Sequence, residues 1–271
     1  MKLLVTNDDG IGSPFLHALV AALKAAGHGL FVVAPLHEQS WTGASKTRHR
    51  PVHSRRVDGA PDRGAAPDFG CPAWTVDGTP SDCVNIALAH LLPACSAGPV
   101  DGVVSGINVG FNCSLGFILA SGTVAGAWEG ALHGLPALAV SQDISEKNYV
   151  HLKDKGGRPD AEMLATLRHS AQHAARLAGE LLPASAPRSF TVHNVNFPFP
   201  CRATSPIERT VPAQFFVPGL FSPADDDGTH RLIWSVGKDV SPPGTLTDLQ
   251  CIAACKISHT VLDYRKLGHG S

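Results

Sequence analysis

The tightest constraint in this chain is a repeated alternation of short apolar β-rich runs with helix-periodic segments over about its first 200 residues. Lys2–Thr6 is a strand-like run that stops at the turn formers Asn7-Asp8-Asp9-Gly10. Phe15–Leu23 repeats apolar residues at helical spacing, and Gly27 and Gly29 suit a helix end. Leu30–Ala34 is a second strand, closed by Pro35. Such a strand-helix-strand series implies parallel strands and a right-handed crossover. Helices are then expected at Asp82–Leu92, Thr123–His133 and Ala161–Leu182, with strands at Val100–Ser105, Ala137–Ser141 and Phe190–Asn196. Val103-Val104 and Leu138-Ala139-Val140 are continuous rather than alternating, as strands covered on both faces are. The expected fold class is α/β: an open, mostly parallel, Rossmann-like sheet with helices on both sides.

Two segments read as surface loops, Asp58–Pro72, rich in Gly, Ala, Pro and Asp, and the polar Glu146–Pro159. After about residue 205 the helix alternation stops, and Pro, Gly and the run Asp225-Asp226-Asp227-Gly228 interrupt β-like pieces such as His230–Val236. The expected organisation is a single domain, with a core over about 1–204 and an irregular extension or oligomerisation arm over about 205–271.

Charge narrows the partners. With 22 Lys+Arg against 23 Asp+Glu, the formal net charge is −1, so no whole-molecule field draws in a nucleic-acid polymer or an anionic membrane. Phosphate recognition must come from a local site. The N-terminal apolar run is too short for a signal-peptide core, and no stretch approaches the length of a membrane span. Seven scattered cysteines, none in a C-x-x-C pair, agree with a cytoplasmic location. Cys251 and Cys255 read as small core residues rather than half a metal site.

Four loops carry the chemistry, each at the end of a predicted strand or the start of a helix. Asp8 and Asp9 follow the first strand, where open parallel sheets bind ligands. Adjacent carboxylates repel unless a cation offsets them, and a hard divalent ion suits carboxylate, hydroxyl and carbonyl oxygens. A solvated turn explains the same residues equally well. Gln39–Ser45 occupies the matching place after the second strand, where the Ser40 hydroxyl can complete a carboxylate site. Ser105-Gly106-Ile107-Asn108-Val109-Gly110 follows a third strand: its glycines let backbone approach a ligand, and Asn108 offers an amide oxygen. The G-x-G-x-x-G spacing is not met, which argues against a nicotinamide cofactor. Ser121-Gly122-Thr123 opens a helix, where a plain cap and an anion site are both possible readings. Carboxylates facing a phosphate at a helix start make a phosphatase layout.

Taken together, the chain resembles the SurE (survival protein) family of 5′/3′-nucleotidases. The residues carrying the resemblance are Thr6-Asn7-Asp8-Asp9-Gly10 with Gly12, Val33-Ala34-Pro35 leading to Gln39-Ser40-Trp41 and Gly43, and Gly78-Thr79-Pro80-Ser81-Asp82-Cys83-Val84. They continue through Val104-Ser105-Gly106-Ile107-Asn108 with Gly110 and Asn112, Ser121-Gly122-Thr123-Val124, Gly134–Ser141, and Asn194-Val195-Asn196-Phe197-Pro198. The resemblance implies a three-layer α/β/α SurE-like fold and one divalent metal ion per subunit, Mg²⁺ or Mn²⁺, held by Asp8, Asp9, Ser40 and Asn108. It also implies hydrolysis of nucleoside 5′- or 3′-monophosphates, in homodimers or homotetramers whose C-terminal extensions exchange. The stretch Asn112–Ser121 is apolar where many members carry acidic residues and a tyrosine, which marks a sub-group.

On this reading Asp8 and Asp9 are the catalytic carboxylates, and the ion polarises the phosphoryl oxygens and acidifies a water that attacks phosphorus. Asn112, Ser121, Gly122 and Thr123 bind the phosphate. The alternatives are a non-catalytic nucleotide-binding module, which has no need of Asp8 beside Asp9, and an acid phosphatase of broad range. A receiver-type signalling domain needs a phosphorylatable Asp at the end of its third strand, where this chain has Asn108. Trp41, beside the metal loop, reads as a packing residue or as a platform for a nucleobase or a neighbouring subunit.

Overall fold

The computed structural model describes residues 1–57, 68–96, 98–155, 157–217, 219–233 and 237–267. Strand β1 (Lys2–Thr6) leads into helix α1 (Pro14–Ala25) and strand β2 (Gly29–Pro35). A short edge strand β3 (Ser54–Arg56) precedes β4 (Ala73–Val76), and residues 58–67 of the expected loop between them lie outside the described residues. Helix α2 (Pro80–Ile86) continues through a π turn at Ala87–Leu91 into the short α3 (Leu92–Ala94). Then follow β5 (Gly102–Val109), α4 (Ser114–Ala120), α5 (Gly122–Leu132), β6 (Ala137–Gln142), α6 (Glu146–Asp154), α7 (Ala161–Ala184) and β7 (Thr191–Phe197).

One nine-stranded sheet organises these elements, in the order β3-β4-β2-β1-β5-β6-β7 followed by two strands of the tail, β11 (Ile257–Asp263) and β8 (Ile207–Thr210). From β4 through β2, β1, β5 and β6 to β7, each strand is parallel to the next, as the crossovers require. β3 pairs antiparallel with β4, and β11 antiparallel with β7. Apolar side chains leave both faces. Leu3 and Val5 pack with Phe15, Leu16 and Leu19 of α1 and with Leu167 and Leu182 of α7. Leu4 packs on the other side with Val33, Cys83 and Val84, while Val124 and Ala127 of α5 meet Ala137 and Ala139. The result is three layers, α/β/α, as expected.

Two expectations are corrected. Glu146–Pro159 is not a loop throughout: α6 occupies Glu146–Asp154, started by Ser145, whose hydroxyl accepts the Asn148 N–H at 3.2 Å. Its polarity hid it, because a helix that buries only Asn148 and Leu152 shows no apolar stripe. The tail is also not uniformly an arm. β8 and β11 extend the main sheet, and α8 (Asp248–Ala253) packs beside them. Among the described residues, a small ribbon of β9 (Phe215–Phe216) and β10 (Lys238–Asp239) stands apart from it. Of the β-like run His230–Val236, residues 234–236 lie outside the described residues. Cys251 is buried, but Cys255 is exposed with φ +55°, so the two do not share a core face.

Candidate active site

Strand order fixes where a ligand belongs. From β1 the chain moves through β2 to β4 on one side, then returns to β5 and moves through β6 to β7 on the other. The boundary between β1 and β5 is the switch point, and the crevice outside its carboxyl ends is where such sheets bind ligands. Asp8 and Asp9 follow β1 there, and Asn108 lies at the end of β5.

The turn after β1 is built by its own residues. The Asn7 side-chain amide donates to the Gly10 carbonyl at 2.9 Å, and Gly10 takes φ +93°, where a side chain would be strained. The Asp8 carbonyl accepts the Gln39 N–H at 2.7 Å, tying in the loop that carries Ser40. The Asp8 carboxylate is 3% exposed and accepts hydrogen bonds from the Thr123 hydroxyl and backbone N–H. Asp9 accepts the Val109 N–H at 3.1 Å. Gly122 closes the arrangement: a Cβ there would stand 2.9 Å from Asp8 Cβ and 3.1 Å from the Gln39 carbonyl. Helix α5 comes this close because Gly126 and Gly130 face the sheet, where added Cβ atoms would meet Thr6 Cγ2 at 2.9 Å and Val103 Cγ2 at 2.5 Å.

Gly106 has a different role from the one its position suggests. The register slips by one residue between Ser105 and Asn108, a bulge that re-aims the strand end. Gly106 sits in it with φ +132°, where a Cβ would collide with the Val140 carbonyl. Its close approach is to strand β6. Past the bulge, the Asn108 amide nitrogen donates to the Gly110 carbonyl at 2.8 Å. That bond fixes the amide's orientation and leaves Oδ1 as the group to offer a ligand.

The electrostatics follow from the packing. Burial pushes the Asp8 carboxyl up to about 6 against the pull of the Thr123 bonds, with the nearby Glu38 charge adding to the rise. Burial and then the Asp8 charge push Asp9 well above the carboxylate range. No cationic side chain offsets either group among the described residues. The same turn holds one more buried acceptor without a partner there, Asn7 Oδ1. Two crowded carboxylates beside amide and hydroxyl oxygens fit a hard divalent cation. Among the described residues no three His, Cys, Asp or Glu side chains converge to hold an ion unaided.

The predicted residues are therefore largely brought together. Asp8, Asp9, Thr123 and Gly122 are in contact, Asn108 adjoins them through Val109, and Ser40 follows Gln39. The helix start is occupied differently than expected: Ser121 caps α5 by accepting the Val124 N–H at 3.0 Å, and Thr123 is turned to Asp8. Asn112 also departs from expectation. It is 6% exposed, and its amide donates to Ser141 at 2.9 Å, so it braces the wall rather than facing a phosphate.

Sequence reasoning passed over the braces. Asn196 Oδ1 accepts the Asn112 N–H at 2.7 Å, and the Asn194 amide donates to the Asn112 carbonyl at 2.9 Å. Thr79 and Asp82 form a capping box on α2, and Asp82 also accepts the Thr47 N–H while Thr79 donates to the Ser45 carbonyl at 2.8 Å. That box was legible, since Thr-Pro-Ser-Asp places a cap, a first-turn proline and an N3 acid in order. The Asn brace had no comparable local signal, because its partners are more than 80 residues apart.

A family model described as survival protein SurE matches residues 3–215. The chain belongs to the SurE family. A curated relative from Thermococcus gammatolerans, "5′-nucleotidase SurE", is 36% identical over 248 residues, 90% of this chain and 84% of the relative. A protein of the same description from Desulforudis audaxviator is 45% identical over 141 residues, 52% of this chain and 50% of its own length. The match thus spans only about half the length of that relative. The crystal structure of the SurE protein from Aquifex aeolicus superposes with a TM-score of 0.70 at 27% identity, covering 97% of this chain and 93% of that one. The SurE fold class is thereby established for this chain. No single helix among the described residues is long and apolar enough to cross a membrane.

Proposed function

We propose that this SurE chain is a phosphomonoesterase that hydrolyses nucleoside monophosphates to nucleoside and inorganic phosphate, with one divalent ion, Mg²⁺ or Mn²⁺, at the Asp8–Asp9 turn. The observation that carries the reading is the pair of uncompensated carboxylates at the sheet's switch point, beside the start of α5. The relatives' description as 5′-nucleotidases supports the choice of substrate.

Asp8, Asp9, Asn108 and Ser40 would hold the ion. When bound, it would neutralise phosphoryl charge and acidify a water. The chain's own residues do the rest. Thr123 fixes the Asp8 carboxylate, and the Val109 N–H fixes Asp9, so neither acid rotates away from the crevice. The partly exposed Asp9 is the carboxylate open to an incoming water and its proton. The helix dipole of α5 favours negative charge beside Gly122, where the backbone passes closest to Asp8. Water adds to phosphorus, the ester P–O bond breaks, and the leaving oxygen ends as the nucleoside hydroxyl.

We assign the chain to the cytoplasm. We also propose a homodimer or homotetramer assembled through the tail, whose Phe216, Phe221 and Leu232 are 73%, 62% and 54% exposed outside the main sheet. Phosphate release from a panel of nucleoside monophosphates, by metal-stripped protein with Mn²⁺ or Mg²⁺ restored, tests the activity. Folded, metal-loaded protein that releases no phosphate from any of them contradicts it.

A further inference from the structure

Helix α4 joins the Asn108 loop to the start of α5, yet it does not hold its own first turn. At seven residues it is too short to be stable alone, and among the described residues Cys113, which precedes it, makes no side-chain cap. The N–H groups of its first two residues go instead to the C-terminal tail. Ser114 donates to the Asp248 carboxylate at 2.8 Å, and Leu115 donates to the Ala213 carbonyl at 3.0 Å. Ser114 stands in the left-handed region at φ +68°, where a serine stays only if its surroundings fix it.

Asp248 itself is fully buried. One carboxylate oxygen takes the Ser114 N–H, and the other takes those of Ala213 and Leu249, each at 2.9 Å. Helix α8, which Asp248 opens, already has a capping box from Thr247 and Gln250. The bonds to Ala213 and Ser114 therefore serve contacts beyond α8, and the second spans 134 residues of sequence. The far end of α4 reaches the site. Its Ala120 carbonyl accepts the Gly43 N–H at 2.9 Å, in the loop that carries Ser40, and Gly122 just beyond packs on Asp8.

We infer that Asp248 is a positioning residue for the phosphomonoesterase site: it caps α4 from the tail, and α4 in turn sets the start of α5 and the Ser40 loop. The tail is thereby part of the site's wall. The inference rests on the phosphomonoesterase reading and adds a residue that touches neither ion nor substrate. The Asp8–Asp9 turn has anchors of its own in the Asn7–Gly10 bond and the Val109 N–H, so loosening α4 disturbs turnover more than ion binding.

The test is Asp248→Asn, which keeps the shape but turns one acceptor into a donor facing a backbone N–H. With AMP and saturating Mn²⁺, kcat should fall at least tenfold, while Mn²⁺ affinity, followed by electron paramagnetic resonance, stays that of wild type. Adding Cys113→Ser, which gives α4 a local cap, should recover most of the lost kcat. Should Asp248→Asn fail to fold, hydrogen exchange in the wild-type protein decides: the amides of Ser114 and Leu115 should open together with those of α8 as one unit. Wild-type kcat in a folded but less stable Asp248→Asn makes the residue merely structural and overturns the inference. Loss of Mn²⁺ binding along with turnover, or α4 amides that open independently of α8, overturns it as well. Absence of AMP turnover by wild type instead sinks the phosphomonoesterase reading itself, whatever the exchange of α4 and α8 shows.

Discussion

At the scale of single residues, the account turns on Asp8 and what it costs to bury. Its folded pKa of about 6 lies above the ordinary 3.8, so between those values the folded chain binds more protons than the unfolded one. The Asp8 contribution to stability therefore falls as pH rises through that window. A divalent ion cancels the penalty, because it favours the ionised form. Metal-free Asp8→Asn should melt at a higher temperature than metal-free wild type above pH 6, and at a similar temperature near pH 4. Added Mn²⁺ should reverse the order at pH 7.5 by stabilising only wild type; identical pH profiles for the two proteins would contradict this. Gly122→Ala tests the close approach. Its Cβ would press on Asp8 Cβ at 2.9 Å, so turnover should fall at least tenfold while the fold persists, measured by circular dichroism beside phosphate release. Asp8 and Asp9 stood out in the sequence because they directly follow the first strand of an open parallel sheet, where such sheets bind ligands. Asn112 was misplaced for the opposite reason: its partners Ser141, Asn194 and Asn196 come from two distant strands.

At the scale of elements, helix α5 and the β7–β11 seam make separate demands. The glycines at 122, 126 and 130 let α5 lie against β1 and β5 and bring Thr123 to Asp8. Gly126→Val must lift the helix, because the space is filled by Thr6 Cγ2 at 2.9 Å and Ser105 Oγ at 3.0 Å. A loss of about 1–3 kcal/mol is expected from overpacking, read as a lower denaturant midpoint at unchanged slope. The seam holds His193 Nδ1 and His259 Nε2 2.9 Å apart, with Arg209 beside His259. Burial, then the Arg209 charge for His193 and the His193 charge for His259, lower both to about 4. Here the folded chain binds fewer protons than the unfolded one between about 4 and 6.5, so the seam strengthens as pH rises through that window. Protection factors of the β11 amides, which divide out the intrinsic pH dependence of exchange, should fall from pH 7 to pH 5, and His259→Gln should flatten that dependence. Strands β1, β2, β5, β6 and β7 were readable because doubly covered strands are continuous apolar runs, whereas the short β3, β4 and α4 gave no such run. Helix α6 was not readable either, since two buried residues make no pattern.

For the molecule as a whole, strand order does more than any side chain to place the chemistry. Reversal of winding between β1 and β5 opens a crevice where the Asp8–Asp9 turn, the β5 bulge and the start of α5 come within hydrogen-bonding reach. The sequence pattern foretold this parallel core but not the tail's contribution. The connection from β8 to its parallel neighbour β11 is a long irregular stretch ending in the six-residue α8, too short a helical signal to announce either strand, and both join the sheet by long-range pairing. Replacing residues 212–246 by a short linker should leave a folded monomer, because the described residues of that span contribute no strand to the main sheet. Removing β11 should leave insoluble protein, since it exposes β7 as a bare edge. The central claim, that Asp8 and Asp9 hold a divalent ion on which phosphate release depends, is tested most directly by titrating Mn²⁺ into metal-stripped protein. Free ion would be followed by electron paramagnetic resonance, with AMP hydrolysis assayed in the same samples. The account predicts one tight site per chain, phosphate release that rises with its occupancy, and loss of both in Asp8→Asn. Equal Mn²⁺ binding by the variant, or full turnover with no divalent ion bound, would contradict it.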